Sequence, residues 1–86
     1  MYYVYILKSK KIKNWLYIGS TNNLKRRFEE HQNGKSFSTK NYKPFILIYY
    51  EAFFSEIDAR ERERQLKSYG NSYKFLKKRI INSLEN

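Results

Sequence analysis

Five side chains in this sequence carry the groups needed to work on a phosphate. They are the phenols of Tyr5 and Tyr17, the guanidinium of Arg27, the imidazole of His31 and the carboxylate of Glu63. Hydrolysing a phosphodiester requires a proton acceptor for water, a cation to stabilise the pentacoordinate phosphorus and help for the leaving oxygen. A free tyrosine, with a pKa near ~10, is a poor base. Neighbouring positive charge or a bound metal favours its phenolate. Taken singly, each residue also has an ordinary reading. Tyrosine is a good strand former, Arg27 can anchor a phosphate, and His31 can be a satisfied structural histidine. Glu63 can pair with Arg27 or Arg62, or hold Mg²⁺, a hard ion that prefers carboxylate and water. The expectation of a site rests on their agreement.

Those residues need elements to bring them together. Residues 2–8, apolar or aromatic on both faces, read as a central strand. The Lys-rich connection "KSKKIKN" leads to a second strand over residues 15–19, and so short a spacing makes the pair an antiparallel hairpin. A turn centred near Lys11 would set Tyr5 opposite Tyr17 on one face. Thr21 or Asn22 can cap a helix running to about Asn33, and Gly34 stops it. Leu24 and Phe28 define its apolar stripe. Arg27 and His31 fall on or beside that stripe, and Arg26 lies opposite. After the polar loop "KSFSTKNYK", residues 45–52 are near-continuously apolar, so a buried third strand is expected. Ser55 and Asp58 resemble a capping box opening a helix that ends at Lys67 or Ser68. On it Ala59 and Leu66 mark the inward face, Glu63 lies between them and Glu61 points away. Gly70 breaks this helix. Residues 73–84 read as a last amphipathic helix with Phe75, Leu76, Ile80, Ile81 and Leu84 as apolar positions. The order β-β-α-β-α-α makes residues 1–86 one α+β domain.

Charge narrows the partner. Eighteen Lys and Arg oppose eight Asp and Glu, for a net charge of +10, and nine Tyr, six Phe and one Trp accompany them. Such a surplus on a small chain is the footprint of a phosphate-backbone binder. Lys25 on the first helix and Lys67 and Lys78 further on are expected nucleic-acid contacts. The absence of cysteine excludes disulfides, thiolate zinc sites and a cysteine nucleophile, and it fits a reducing cytoplasm. The longest apolar run, "PFILIYYEAFF", is interrupted by Glu51 and falls short of the ~20 residues a membrane helix needs. The strand-like start carries no signal-peptide pattern. A cytoplasmic domain without membrane association is the expectation.

On these residues the sequence resembles the GIY-YIG nuclease superfamily, and closely its small stand-alone bacterial members. The second half of the signature is intact as Tyr17-Ile18-Gly19; the first half reads Tyr3-Val4-Tyr5, where only the tyrosine carries over. Arg27, ten residues beyond Tyr17, matches the family's catalytic arginine, and His31 a position held by His or Tyr. The stretch "DARERERQLK" looks like the helix with the metal-binding glutamate, which maps to Glu63. The excision-repair members have a lysine where Ser20 stands, and Asn71 is a candidate for an asparagine found downstream of the glutamate. The resemblance implies a three-stranded antiparallel sheet flanked by helices and an endonuclease dependent on Mg²⁺ or Mn²⁺. Its substrate would be DNA, at repair or recombination structures. One signature tyrosine, Tyr17 by preference, would activate water with Tyr5 assisting. Arg27 would stabilise the phosphorane, His31 would handle protons, Glu63 would hold the ion and Gly19 would let substrate approach the backbone. Two rivals remain: a catalytically weak nucleic-acid-binding module, and a nuclease subunit that docks a partner protein through "FILIYYEAFF" or the last helix.

Overall fold

The computed structural model describes residues 1–85. It is an α+β fold in the expected order, with the last helix divided in two. Strands β1 (Tyr2–Ser9), β2 (Leu16–Thr21) and β3 (Phe45–Phe53) form an antiparallel sheet in the order β2-β1-β3. β1 is central because both its faces are apolar: Val4 and Ile6 point one way, Tyr5 and Leu7 the other, and none is more than 2% exposed.

Helix α1 (Leu24–Gln32) lies on the Tyr5–Leu7 face, where Leu24 and Phe28 join Tyr5, Leu7 and Phe45. Its cap is Asn23 rather than Thr21 or Asn22. The Asn23 side chain accepts the Arg26 amide, and the Thr21 hydroxyl accepts the Asn23 amide at 3.1 Å, so the chain turns one residue later. Gly34, at φ +73°, supplies the left-handed residue that stops the helix. On the opposite face α2 (Glu56–Lys67) and α3 (Asn71–Arg79) bury Ala59, Leu66, Leu76 and Ile80 against Val4, Ile6 and Ile18. Ser55 is the α2 cap residue, but its side chain makes no capping bond, so the expected capping box does not form.

Two expectations are corrected. β3 is not a buried strand: it lies at the sheet edge, and Ile46 and Tyr50 are exposed. Its continuous apolar run reflects a bulge instead. The register to β1 slips between Ile6 and Leu7, leaving Ile48 as an extra residue, and Ile48 and Tyr49 both pack on the α2 face. The last helix is broken at Ile80, between α3 and α4 (Ile81–Glu85). Ile81, beyond the break, and Phe75, on the outer side of α3, are exposed, while Leu76 and Ile80 stay in the core. Among the described residues no helix is long and apolar enough to cross a membrane.

Candidate active site

The hairpin register differs from the expected one. Tyr5 stands opposite Gly19, and Tyr17 opposite Leu7. A shift of two residues keeps every side chain on its face, so Tyr5 and Tyr17 still share one, with ring centres 6.3 Å apart. Gly19 lacks a side chain directly across from a tyrosine. A Cβ there would lie 2.5 Å from the Tyr5 hydroxyl and 2.9 Å from a Tyr17 ring carbon. The glycine makes space first of all for the two signature phenols.

α1 supplies the groups above them. His31, fully buried, is hydrogen-bonded through Nε2 to the Tyr5 hydroxyl (2.9 Å) and through Nδ1 to the Thr39 hydroxyl (2.8 Å). A neutral imidazole donates at one nitrogen and accepts at the other, so both contacts are satisfied without charge. Burial, reinforced by the nearby charge of Arg27, pushes His31 down to about 4, and burial pushes Tyr5 up to about 12 against the pull of Arg27. Near neutral pH this is an uncharged Tyr5–His31–Thr39 chain. With no surface of its own, His31 positions Tyr5. Gln32, the next residue, clamps α1 to β3 by giving its side-chain NH₂ to the Phe45 carbonyl (3.1 Å) and accepting the Phe45 amide (2.7 Å).

Tyr17 is only half-buried. Its ring stacks on Trp15, which stacks in turn on Tyr42 at 4.2 Å, and its edge meets His31. Arg27 donates to Glu30 (3.1 Å) and to the Ser36 hydroxyl (3.4 Å). The Arg27 hydrogen bond in turn holds the Glu30 carboxyl below the usual carboxylate range. A cleft of about 380 Å³ opens between α1 and α2, lined by Arg26, Arg27 and Arg60 together with Ser20, Glu30 and Glu56. Three guanidiniums around one opening suit a phosphate.

Glu63 comes from the helix that covers the other face, and it emerges at the free edge of β2. One carboxylate oxygen accepts from the Ser20 hydroxyl and the other pairs with Lys67, both at 2.8 Å, and the side chain is 20% exposed. Neither partner is the expected Arg27 or Arg62. Arg62 instead grips Glu51 of β3 through two nitrogens, and Tyr49 donates to the same carboxylate. Lys67 also lies 5.7 Å from the centre of the Tyr17 ring, so it spans the gap between carboxylate and phenol. The Glu63 charge reaches Tyr5 as well, where it acts to raise the phenol. The donor set fits a hard divalent ion as a single-carboxylate site completed by water and phosphate. No group of three or more His, Cys, Asp or Glu suited to a metal occurs among the described residues. Lys67, a part-exposed side chain, would have to leave the carboxylate.

The structure thus brings Tyr5, Tyr17, Arg27 and His31 together, with Glu63, Gly19 and Lys67 beside them. Lys25 is exposed on α1, Asn71 is the exposed first residue of α3, and Lys78 lies on the helix behind the sheet. Ser20, Ser36 and Thr39 are partners that sequence reasoning did not identify. Lys67 was expected to touch nucleic acid, yet its place four residues after Glu63 is the ordinary signal of a helical ion pair.

Known proteins resemble the chain over most of its length. A UPF0213 protein of Staphylococcus haemolyticus is 39% identical over 74 residues, covering 85% of this chain and 88% of that one. One from Clostridium perfringens is 40% identical over 75 residues, covering 86% and 78%. One from Pediococcus pentosaceus is 41% identical over 83 residues, covering 93% and 85%. No solved structure matches the chain. Residues 1–79 match the GIY-YIG catalytic domain, and with that match the chain belongs to the GIY-YIG nuclease superfamily.

Proposed function

We propose that this protein is a cytoplasmic endonuclease, dependent on Mg²⁺ or Mn²⁺, that hydrolyses phosphodiester bonds in DNA at repair or recombination structures. The observation that carries the reading is the grouping of two phenols, one of them locked to a neutral histidine, beneath a guanidinium that lines an arginine-rich cleft. Burial holds Tyr5 protonated, so Tyr17, acting as its phenolate, is the group left to accept the proton of the attacking water. The water oxygen bonds to phosphorus, the bond to the leaving oxygen breaks on the far side, and that oxygen takes a proton from solvent. Arg27 faces the extra negative charge of the phosphorane; removing such a donor costs about 10²–10³ in rate. Glu63 and Ser20 would hold the divalent ion, which when bound supplies charge opposite the leaving oxygen. Arg60 borders both this cleft and the open groove beside Glu63 and Lys67, a path a phosphate backbone can follow.

The test is nicking of supercoiled plasmid in Mg²⁺ or Mn²⁺, with Glu63→Ala and Arg27→Ala as controls. Metal-dependent nicking lost in both variants supports the reading. DNA binding without nicking in either ion favours a binding module, and nicking that needs an added protein favours a subunit of a larger assembly. Affinity should fall steeply as salt rises; a flat response counts against phosphate-dominated binding.

A further inference from the structure

We propose that Phe37 is a stacking platform for an unpaired nucleobase beside the phosphate to be cut, so that the strand is single or splayed open at that point. The inference rests on the nuclease reading above and names its substrate class. Phe37 is 84% exposed, with its ring open to a partner. It stands in the connection between α1 and β3, where Lys35, Lys40 and Lys43 occur and no acid intervenes between Glu30 and Glu51. The Lys40 ammonium lies 4.8 Å from the centre of the Phe37 ring.

The segment is anchored to the site. Ser36, the residue before Phe37, accepts from Arg27, the guanidinium assigned to the phosphate. Thr39, two residues after it, is fully buried against His31. The backbone between them is closed by amides of Thr39 and Lys40 bonded to the Ser36 carbonyl. A phosphate held by Arg27 therefore presents a neighbouring base to an open aromatic face among lysines. Bases in a duplex are already stacked on each other, so such a ring selects an unpaired base. It does so with little regard to sequence, because every base has a π-face. Two other phenylalanines are exposed: Phe75 at 63%, on α3 behind the sheet and away from Arg27, and Phe54 at 92%, which lies between Glu51 and the pair Glu56 and Asp58. That is the wrong charge for a phosphate chain.

Affinity should be measured without divalent ion, so that nothing is cut, for a single-stranded oligonucleotide and for the blunt duplex of the same sequence. Phe37→Ala and Phe37→Leu should each lose roughly 5- to 100-fold on the single strand and little on the duplex, while Phe37→Trp retains binding. A 2-aminopurine base in the single strand should lose its quenching in the alanine and leucine variants. Full single-strand affinity in Phe37→Leu, or an equal loss on both substrates, overturns the inference. Circular dichroism checks that each variant is folded. The outcome is separate from the nuclease reading: a protein that never cuts can still show this selectivity, and one that cuts can lack it.

Discussion

Replacing Gly19 with alanine tests the centre of the site. The added Cβ would sit 2.5 Å from the Tyr5 hydroxyl, 2.6 Å from the carbon bearing it and 2.9 Å from Tyr17. Comfortable contact begins near about 3.5 Å, so the Tyr5 ring must retreat by about 1 Å. It has nowhere to go: it is 2% exposed, packed among Leu7 and Phe45, and tied to His31 at 2.9 Å. A shift of that size takes the bond outside hydrogen-bonding range. Overpacking costs about 1–3 kcal/mol, and a broken buried hydrogen bond about as much again. Relief of glycine's entropy in a strand returns only about 0.5–1 kcal/mol. A net loss of about 2–4 kcal/mol is expected in urea unfolding. Cleavage should fall by about 10²-fold at temperatures where the variant is folded, because the reacting groups are misplaced by about 1 Å. In a Tyr5→Leu background the same substitution should be much less harmful, with a coupling energy of about 1 kcal/mol or more. The reasoning fails if Gly19→Ala matches the parent in stability and rate. It also fails if activity is lost while stability and the NMR signals of the His31 ring nitrogens are unchanged. That second result would return the glycine to substrate approach.

Three further outcomes follow from the same geometry. His31 is held near 4 when folded against 6.5 when free. The unfolded chain therefore binds more protons between those values, and the stabilisation is full above pH 6.5 and lost as pH falls. About 1.5 kcal/mol should disappear between pH 6.5 and 5, above most of the carboxylate range, and most of that slope should vanish in His31→Gln; urea melts across pH check both. Arg62→Ala strips Glu51 of its two-pronged partner and should cost about 1–2 kcal/mol in thermal or urea unfolding, leaving the cleavage rate of folded protein unchanged. Lys67→Ala frees one oxygen of Glu63 and should tighten Mn²⁺ binding about twofold by calorimetry or paramagnetic titration, while weakening DNA affinity. Unchanged or weaker metal binding would mean that Lys67 does not compete for the carboxylate.

Much of the frame was legible in the chain because it depends on local rules. The two-faced apolar β1, the α1 stripe of Leu24 and Phe28 and the inward face of Ala59 and Leu66 follow from periods of 2 and 3.6. So did the contrast between the half-buried Arg27 and the exposed Arg26, and between Glu63 and Glu61. What escaped was non-local. Nothing near His31 announces that a hydroxyl eight residues on, Thr39, will complete its hydrogen bonds. The Ser36 contact to Arg27 spans nine residues through an irregular loop. The β3 run looked like an interior strand because apolar content does not reveal a bulge, and a bulge is what turns Ile48 and Tyr49 to the same side. The hairpin register was missed because it depends on the turn, where Asn14 adopts φ 64°.

Because the sheet is one layer thick, neighbours along β1 answer to different selective pressures. Val4 and Ile6 serve the α2–α3 side, and Tyr5 serves the side of the proposed site. The two sides communicate through α2, which packs on the rear and carries Glu63 round to the edge of β2. In a saturation library across that strand, Val4, Ile6 and Leu7 should yield temperature-sensitive clones, and Tyr5 clones that also lose cleavage while folded.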